Sequence, residues 1–531
     1  MSSSERSFEL IAGGLTVLVV LWFVCRAIMI DDVLVIPGRK RHNWKSVKII
    51  GRAAYCSICE IFVVASTGLV CDSCGVCSHP HCTKKADSHL KCKDKYLKNG
   101  KSISHHWVKG NLPLNMECSL CKEDIDYHAS PGLFGYRCCW CQTALHTNCF
   151  KKYATSDPCN YGRYRELIIP PTSIVAARTR RAVKLHLTGI NPPDWEDWKP
   201  LLIIANTKSG SNTASDVVSH LRGYLHPLQV MELCPRGPQE ALQWAVKISP
   251  KQCRILVAGG DGTVGWVLNT IFALDIRPIP EISIMPLGTG NDLSRVMRWG
   301  AESPDHINPV EILDQILASK VVNLDRWVLE IESVRYRLPI QRASLRTVYV
   351  YNYFSVGVDA QVTLNFHKTR DSRFYVLSSR LFNKILYFCF GTHQIMQPEC
   401  EGLEKRIELY LDNKKVDLPE LQSVVFLNID SWGAGVKLCE LSNKENKQFE
   451  HSISDGKMEV FGIVSSFHIA QLQVGIGKPV RIGQAKRIKI KFHQSCPVQA
   501  DGEPWVQQQC EMSLSARGQA KMLQNQTEST T

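Results

Sequence analysis

Three short stretches of this chain hold the residue types that could handle a phosphoryl group. Gly259-Gly260-Asp261-Gly262-Thr263 follows the apolar run Ile255-Leu256-Val257-Ala258 and precedes a helical pattern over 264–274. Glycines between a strand and a helix let backbone N–H groups approach a phosphate closely, and the helix start supplies unpaired donors. Gly288-Thr289-Gly290-Asn291-Asp292 repeats the arrangement after the strand-like run 282–285, and Asn206-Thr207-Lys208-Ser209-Gly210 follows another at 200–205. Asn206, Lys208 and Asn291 add side-chain contacts to this reading, and Thr263 and Thr289 add hydroxyls. Asp261 is the first candidate for a Mg2+ sphere, with Glu503 behind it, because magnesium takes hard oxygen ligands. Loops of this kind on successive strands point to a nucleotide-dependent phosphotransferase.

The elements around these loops alternate strand and helix, the βαβ rhythm of a parallel sheet with crossover helices. Ligands of such sheets sit at the carboxyl ends of the strands, where all three loops lie. From about residue 347 the pattern changes. Runs at 348–355, 406–411, 423–429, 457–464 and 487–492 predict strands, the last alternating strictly between apolar and basic residues. One helical insert is expected over 373–390. The fold class expected is multidomain: a nucleotide-binding α/β domain over 200–340 and a mostly antiparallel β domain over 341–515. A polar, disordered tail is expected over 516–531.

A chain of 531 residues with 44% apolar content and a net charge of +13 suits several domains. Residues 10–30 are apolar except for Arg26, and at about 1.5 Å per residue a helix there would match a bilayer core. Arg39, Lys40, Arg41, Lys45 and Lys48 follow it, so the positive-inside rule puts the rest of the chain in the cytosol. A cleaved signal peptide is the competing reading, but a basic start and a small-residue cleavage site are not evident. The basic balance is read as favouring acidic phospholipids, not nucleic acid, and the expected location is the endoplasmic reticulum or plasma membrane.

Fourteen of the 22 cysteines lie between Cys56 and Cys159. His42 is followed by Cys56, Cys59, Cys71, Cys74, His79, Cys82 and Cys92. The order repeats as His105, Cys118, Cys121, Cys138, Cys141, His146, Cys149 and Cys159. Each copy, 42–92 and 105–159, offers six Cys and two His, enough for two closed tetrahedral zinc sites. His106 is a weaker alternative to His105. Cys77 and Cys139 fall outside the pattern and read as buried thiols. Residues 160–199, with Pro170-Pro171, Pro192-Pro193 and a basic run between, read as a linker.

The spacing of both copies resembles the phorbol-ester/diacylglycerol-type finger. That resemblance implies one structural zinc on His42, Cys71, Cys74 and Cys92 and one on Cys56, Cys59, His79 and Cys82. In the second copy it implies the sets His105, Cys138, Cys141, Cys159 and Cys118, Cys121, His146, Cys149. The loop between Cys59 and Cys71 is 11 residues, short for a lipid-binding member, and that between Cys121 and Cys138 is 16. With the fingers, the three loops and Asp501-Gly502-Glu503 together, the chain resembles the diacylglycerol kinase family, and in layout its epsilon branch. The resemblance implies ATP-dependent phosphorylation of diacylglycerol to phosphatidic acid, with a preference for arachidonoyl species in phosphatidylinositol turnover. It makes Asp501 the general base, with Asp261 as the rival. GGDGT also occurs in sphingosine- and ceramide-type kinases, a rival disfavoured by the fingers. A lipid-sensing scaffold with a dead kinase domain is disfavoured by the intact motifs. A P-loop GxxxxGK[ST] and the HRD and DFG triplets are absent, which argues against a P-loop ATPase and a protein kinase.

Overall fold

The computed structural model describes residues 35–37 and 42–526 except 47–53, 64–67, 98–101, 114–115, 126–133, 154–156, 179–183, 208–212, 234–236, 304–305, 338–339, 371–399 and 444–449. The expected membrane helix at 10–30 and the expected helical insert at 373–390 therefore fall outside the described residues. Among the described residues no helix is long and apolar enough to cross a membrane.

Four parallel strands begin the α/β domain: β1 (Leu201–Ala205), β2 (Val230–Glu232), β3 (Arg254–Gly259) and β4 (Glu281–Pro286). Their order is β2-β1-β3-β4. Every residue of β1, β3 and β4 is buried, as continuous apolar runs require when helices cover both faces. Alternate residues sort the helices. Leu201 and Ile203 pack with α1 (Thr213–Tyr224) on one side; Leu202 and Ile204 pack with α2 (Gln239–Ile248) and α3 (Asp261–Ala273) on the other.

The sheet does not stop at the boundary expected near residue 340. It continues through two long strands, β5 (Lys320–Arg337) and β6 (Ile340–Val350), and the shorter β8 (Ile407–Leu411), β9 (Lys414–Val416) and β13 (Arg487–Phe492) to ten strands in all. The join is β16 (Cys510–Gln524), which runs parallel to β4 at Glu281–Lys521 and antiparallel to β5 and β13. The disordered tail expected from residue 516 is thus corrected for the described residues up to 526. The exposed positions of β16 are small or polar (Ser513, Ser515, Ala516, Arg517, Gly518), but Ala520, Met522 and Leu523 are buried. A second, six-stranded antiparallel sheet has the order β12 (Val480–Ala485), β11 (Met458–Ile463), β10 (Ser423–Leu427), β7 (Tyr353–Gly357), β14 (Cys496–Ala500), β15 (Glu503–Gln507). The strand expected over 348–355 is two strands, β6 and β7, broken at Tyr351-Asn352.

The expected linker at 160–199 is also corrected. Ile168 and Ile169 are fully buried, and Ile174–Arg178 pairs with Lys184–Ile190. Gln229 fastens the segment: its side-chain amide donates to Leu167 O and Leu201 O, both at 2.7 Å, and accepts from Ile169 N–H at 2.8 Å. The prolines lie at the corners of a strap packed across the parallel sheet.

Both fingers have a three-stranded sheet and a terminal helix, Thr83–His89 in the first and Thr147–Lys152 in the second, and the first adds a pair of two-residue strands, Ala54–Tyr55 with Phe62–Val63. Both lean on the last turn of α1. The Lys93 ammonium is buried and donates to Arg222 O (3.2 Å), Gly223 O (2.7 Å) and Leu225 O (3.1 Å), capping the helix carbonyls that lack partners. Arg222 bonds the buried Asp72 carboxylate at 3.0 Å, and Gln142 of the second finger reaches Gly223 O at 3.4 Å.

Candidate active site and metal clusters

The carboxyl ends of β1, β3 and β4 stand side by side, since Ala205 is in register with Ala258 and Ala258 with Met285. The loops that leave them are knitted together. Asn206 donates its backbone N–H to Ala258 O at 2.9 Å and its side-chain amide to Thr263 Oγ1 at 3.0 Å. Gly260 and Gly288 meet backbone to backbone: a Cβ on Gly260 would lie 3.0 Å from Gly288 Cα, and one on Gly288 2.7 Å from Gly260 Cα. A Cβ on Gly259 would strike Thr263 at 2.7 Å. Gly260 and Gly288 are therefore required for loop-to-loop contact and Gly259 for the turn into α3, reasons that approach to a phosphate does not contain.

The Asn291 side chain, expected to add a contact to phosphate, is turned to its own loop. It is buried there, accepting from Gly288 N–H at 3.0 Å and donating to Gly288 O (2.9 Å) and Ala301 O (2.8 Å), and the residue has a left-handed φ of 53°. Asparagine supports that conformation by hydrogen-bonding locally. Thr263 is buried too, its hydroxyl engaged by Asn206. Thr289 and Gly290 remain half-exposed at the loop tip, and Gly262 is exposed at the start of α3. Lys208, Ser209 and Gly210 lie outside the described residues.

Three carboxylates converge beside these loops. Asp261 opens α3 and caps the next helix, α4 (Asp292–Val296), accepting from Asp292 N–H at 2.9 Å and Leu293 N–H at 3.1 Å. Asp292 does not cap its own helix; it accepts from Ser431 Oγ (2.5 Å), Gly435 N–H (2.9 Å) and Ala434 N–H (3.3 Å) of the β domain. Asp501 sits in the turn between β14 and β15 with a left-handed φ of 48° and takes three amides: Tyr351 (2.8 Å), Asn352 (2.8 Å) and Tyr353 (3.0 Å). Those amides come from the break between β6 and β7, so the interruption of the expected strand is what builds the Asp501 cradle.

Burial, then the neighbouring Asp292 carboxylate, pushes Asp261 up to about 7 despite its two amide bonds. Burial likewise raises Asp292, and pushes Asp501 up to about 6 against its three amides. Asp261 Oδ2 and Asp292 Oδ2 each lie 3.6 Å from the position of a Cβ on Gly290. Two like charges so close, Asp292 buried and Asp261 half-buried, favour a proton or a cation between them, and hard oxygen donors fit Mg2+. Glu503 is exposed, with Oε1 3.6 Å from a Cβ on Gly262.

A cleft of about 520 Å3 opens between α3 and the β domain, with both Asp261 and Asp501 in its wall. Gly262, Trp266, Arg346, Tyr349, Glu503 and Trp505 line the rest. Tyr351 spans the two sides. Its backbone N–H holds Asp501, and its hydroxyl donates to Asn269 Oδ1 of α3 at 2.9 Å. Tyr351, Asn269 and Arg346 were not legible as functional, because nothing in local pattern reveals a contact across domains; Asp292 was legible as the last residue of its glycine loop.

The sixteen Cys and His residues form four groups, with ligand atoms in each within 4.8 Å of one another. The groups are those that the finger resemblance implies. His42 Nδ1 lies 3.3 Å from Cys74 Sγ, His79 Nδ1 3.4 Å from Cys59 Sγ, His105 Nδ1 3.4 Å from Cys141 Sγ and His146 Nδ1 3.4 Å from Cys121 Sγ. The outer Nε2 of His42, His79 and His146 meets the carbonyl of Leu90, Phe62 and Asp124, each at 3.2 Å, which fixes Nδ1 as the ligand atom. His106 turns away to Lys91 O at 3.1 Å and joins no group. This donor chemistry and spacing fit structural zinc. Cys77 and Cys139 are buried outside the groups.

Family models match the diacylglycerol kinase catalytic domain over 200–326, the diacylglycerol kinase accessory domain over 349–504, and the phorbol esters/diacylglycerol binding domain over 105–160. The chain belongs to the diacylglycerol kinase family. It is 32% identical over 526 residues to "Probable diacylglycerol kinase 3" of Caenorhabditis elegans, covering 91% of this chain and 64% of that one. It is 31% identical to human diacylglycerol kinase zeta (91% and 57%) and 30% to mouse diacylglycerol kinase iota (91% and 50%). The chain thus spans less than two thirds of the length of these relatives. Among solved structures, a diacylglycerol kinase from Bacillus anthracis str. Sterne aligns at 20% identity and a TM-score of 0.37, over 61% of this chain and 97% of its own. Yeast NADH kinase aligns at 13% and 0.34, over 64% and 89%. At those TM-scores neither adds to the fold described above.

Proposed function

We propose that this chain is an ATP-dependent diacylglycerol kinase, moving the γ-phosphoryl group of ATP to the free hydroxyl of 1,2-diacylglycerol to give phosphatidic acid. The observation that carries the reading is the meeting of Asp261 and Asp501, from two differently built sheets, in one cleft beside three joined glycine loops. The phosphates of ATP lie against the open amides at the start of α3 and the tip formed by Thr289 and Gly290. Asp261 and Asp292 would hold Mg2+, whose charge would neutralise the phosphates, with Glu503 facing the same loop. Asp501 removes the proton from the lipid hydroxyl as it attacks. A carboxylate raised to about 6 is ionised near neutral pH yet basic enough for that transfer. Phosphoryl transfer is mostly positioning and charge neutralisation, and this geometry offers both.

The apolar stretch at 10–30 and the basic residues after it support a membrane-anchored enzyme with its catalytic part in the cytosol, at the endoplasmic reticulum or plasma membrane. The epsilon-like layout supports a preference for arachidonoyl diacylglycerol. Purified full-length chain, assayed in mixed micelles with labelled ATP against a panel of diacylglycerols, sphingosine and ceramide, tests the reading. Label in phosphatidic acid alone is expected, highest with the arachidonoyl species. Label in sphingosine or ceramide phosphate alone would replace the substrate class.

A further inference from the structure

Of the fourteen large apolar side chains that stand exposed among the described residues, four fall within 464–476: Val464 (47%), Phe467 (57%), Val474 (64%) and Ile476 (80%). Singly exposed apolar residues need no explanation, but such a concentration does. The four belong to one small structure. Helix α7 (Ser466–Gln473) begins behind a Ser465 cap, and the loop after it folds back, with Ile476 and Gly477 both donating N–H to Gln471 O at 3.0 Å. The buried His468 buckles the ends together. Its Nδ1 accepts from Val464 N–H at 3.2 Å, so its protonated Nε2 donates to Lys478 O at 3.0 Å. Val464, Phe467 and Ile476 are thereby held at one rim, with the flexible pair Gly475 and Gly477 on either side of the most exposed of them.

The loop that carries the rim has charge of one sign. Residues 464–478 include no Asp or Glu, and Lys478 at its end is exposed. Apolar side chains at a tip with a cation beside them match an anionic bilayer surface, where the apolar groups enter the acyl boundary and Lys478 meets the headgroups. The position is apt for a lipid acceptor. Helix α7 packs against α6 (Val358–Arg370), and α6 packs on β14 and β15, the two strands that flank Asp501.

We propose that the rim formed by Val464, Phe467, Val474 and Ile476 is the face by which the kinase half docks onto an anionic phospholipid bilayer. The activity arm of its test rests on the lipid-kinase reading; the exchange arm does not. In the exchange arm, full-length protein is followed by hydrogen exchange with and without phosphatidylcholine vesicles containing phosphatidylserine. Slower exchange over 464–478 on adding vesicles is expected. In the activity arm, Phe467→Ser and Ile476→Ser are assayed on diacylglycerol in those vesicles and on water-soluble dihexanoylglycerol. The apparent KM in vesicles should rise about tenfold, the order expected for losing one inserted apolar side chain. Turnover of the soluble substrate and the melting temperature should stay as in the parent. Unchanged exchange with vesicles, or protection that grows with protein concentration in their absence, as contact with a second copy would give, overturns the proposal. So does an equal loss on both substrates.

Discussion

At the scale of the residue, the cleft depends on side chains whose neighbours come from distant parts of the chain. Gly262 is exposed at the start of α3, facing Glu503. Gly262→Asp puts an anion where the proposed function places phosphate, and the expected result is loss of measurable turnover with the fold retained by circular dichroism. Tyr351→Phe removes one hydrogen bond between α3 and the Asp501 cradle. A single such bond contributes about 1 kcal/mol, so turnover should fall roughly fivefold with little change in the KM for ATP, as steady-state kinetics would show. Asp261 also gives a stability prediction. Its carboxyl is raised to about 7 when folded, against 3.8 for the ordinary group. Below pH 4 both states hold the proton and the group is neutral to stability. As pH rises toward 7 the unfolded chain releases its proton first, so the fold loses stability across that window. Asp261→Asn should abolish this part of the slope, and denaturant unfolding at pH 5 and pH 8 without divalent cations would read it. Much of this scale was legible in the sequence: the glycine loops, Asp261, Asp501 and every Cys and His of the four groups were singled out from spacing or resemblance. The roles of Asn291, Thr263 and Tyr351 were not, because each is decided by a tertiary contact that no local pattern encodes.

At the scale of the element, α1 couples the fingers to the nucleotide side. It follows the Asn206–Gly210 loop, and its last carbonyls are capped by Lys93, which sits next to the ligand Cys92. Loss of zinc from the first finger would release Lys93 and Asp72 together. Chelation should therefore lower the melting temperature of the kinase half as well as unfold the fingers, and differential scanning calorimetry of metal-stripped protein checks this. Lys93→Met leaves the carbonyls uncapped and should destabilise by about 2 kcal/mol, the size of a hydrogen bond to a charged group. Strand and helix types over 200–300 followed from hydrophobic periodicity. The segment at 160–199 misled because its prolines and arginines look like a linker, while its anchoring comes from Gln229 and Trp198, whose indole donates to Ile168 O at 2.8 Å.

At the scale of the whole molecule, one ten-stranded sheet runs through both halves of the kinase, beside the six-stranded sheet of the β domain. Strand β16 makes the join, so residues near the end of the chain stabilise β4 of the catalytic half. Deletion of 516–531 removes the buried side chains of Ala520, Met522 and Leu523. That is worth about 5 kcal/mol at ordinary burial values, a large part of what holds a domain folded; the truncated chain should appear in the insoluble fraction. Division into a parallel and an antiparallel half was legible from the change in pattern near 347. Continuity between them was not, since sheet order depends on a strand pairing with partners more than 200 residues away. The account as a whole stands on Asp501 being the base in a cleft that also holds ATP. The most direct measurement is single-turnover phosphorylation of diacylglycerol by Asp501→Asn, with ATP binding measured in parallel across pH 5 to 8. The expected result is a loss of at least about 100-fold in the transfer step, an ATP affinity like the parent's, and absence of the acidic limb that Asp501 should give the parent near pH 6. A variant that transfers phosphate at the parental rate with that limb intact would contradict the account.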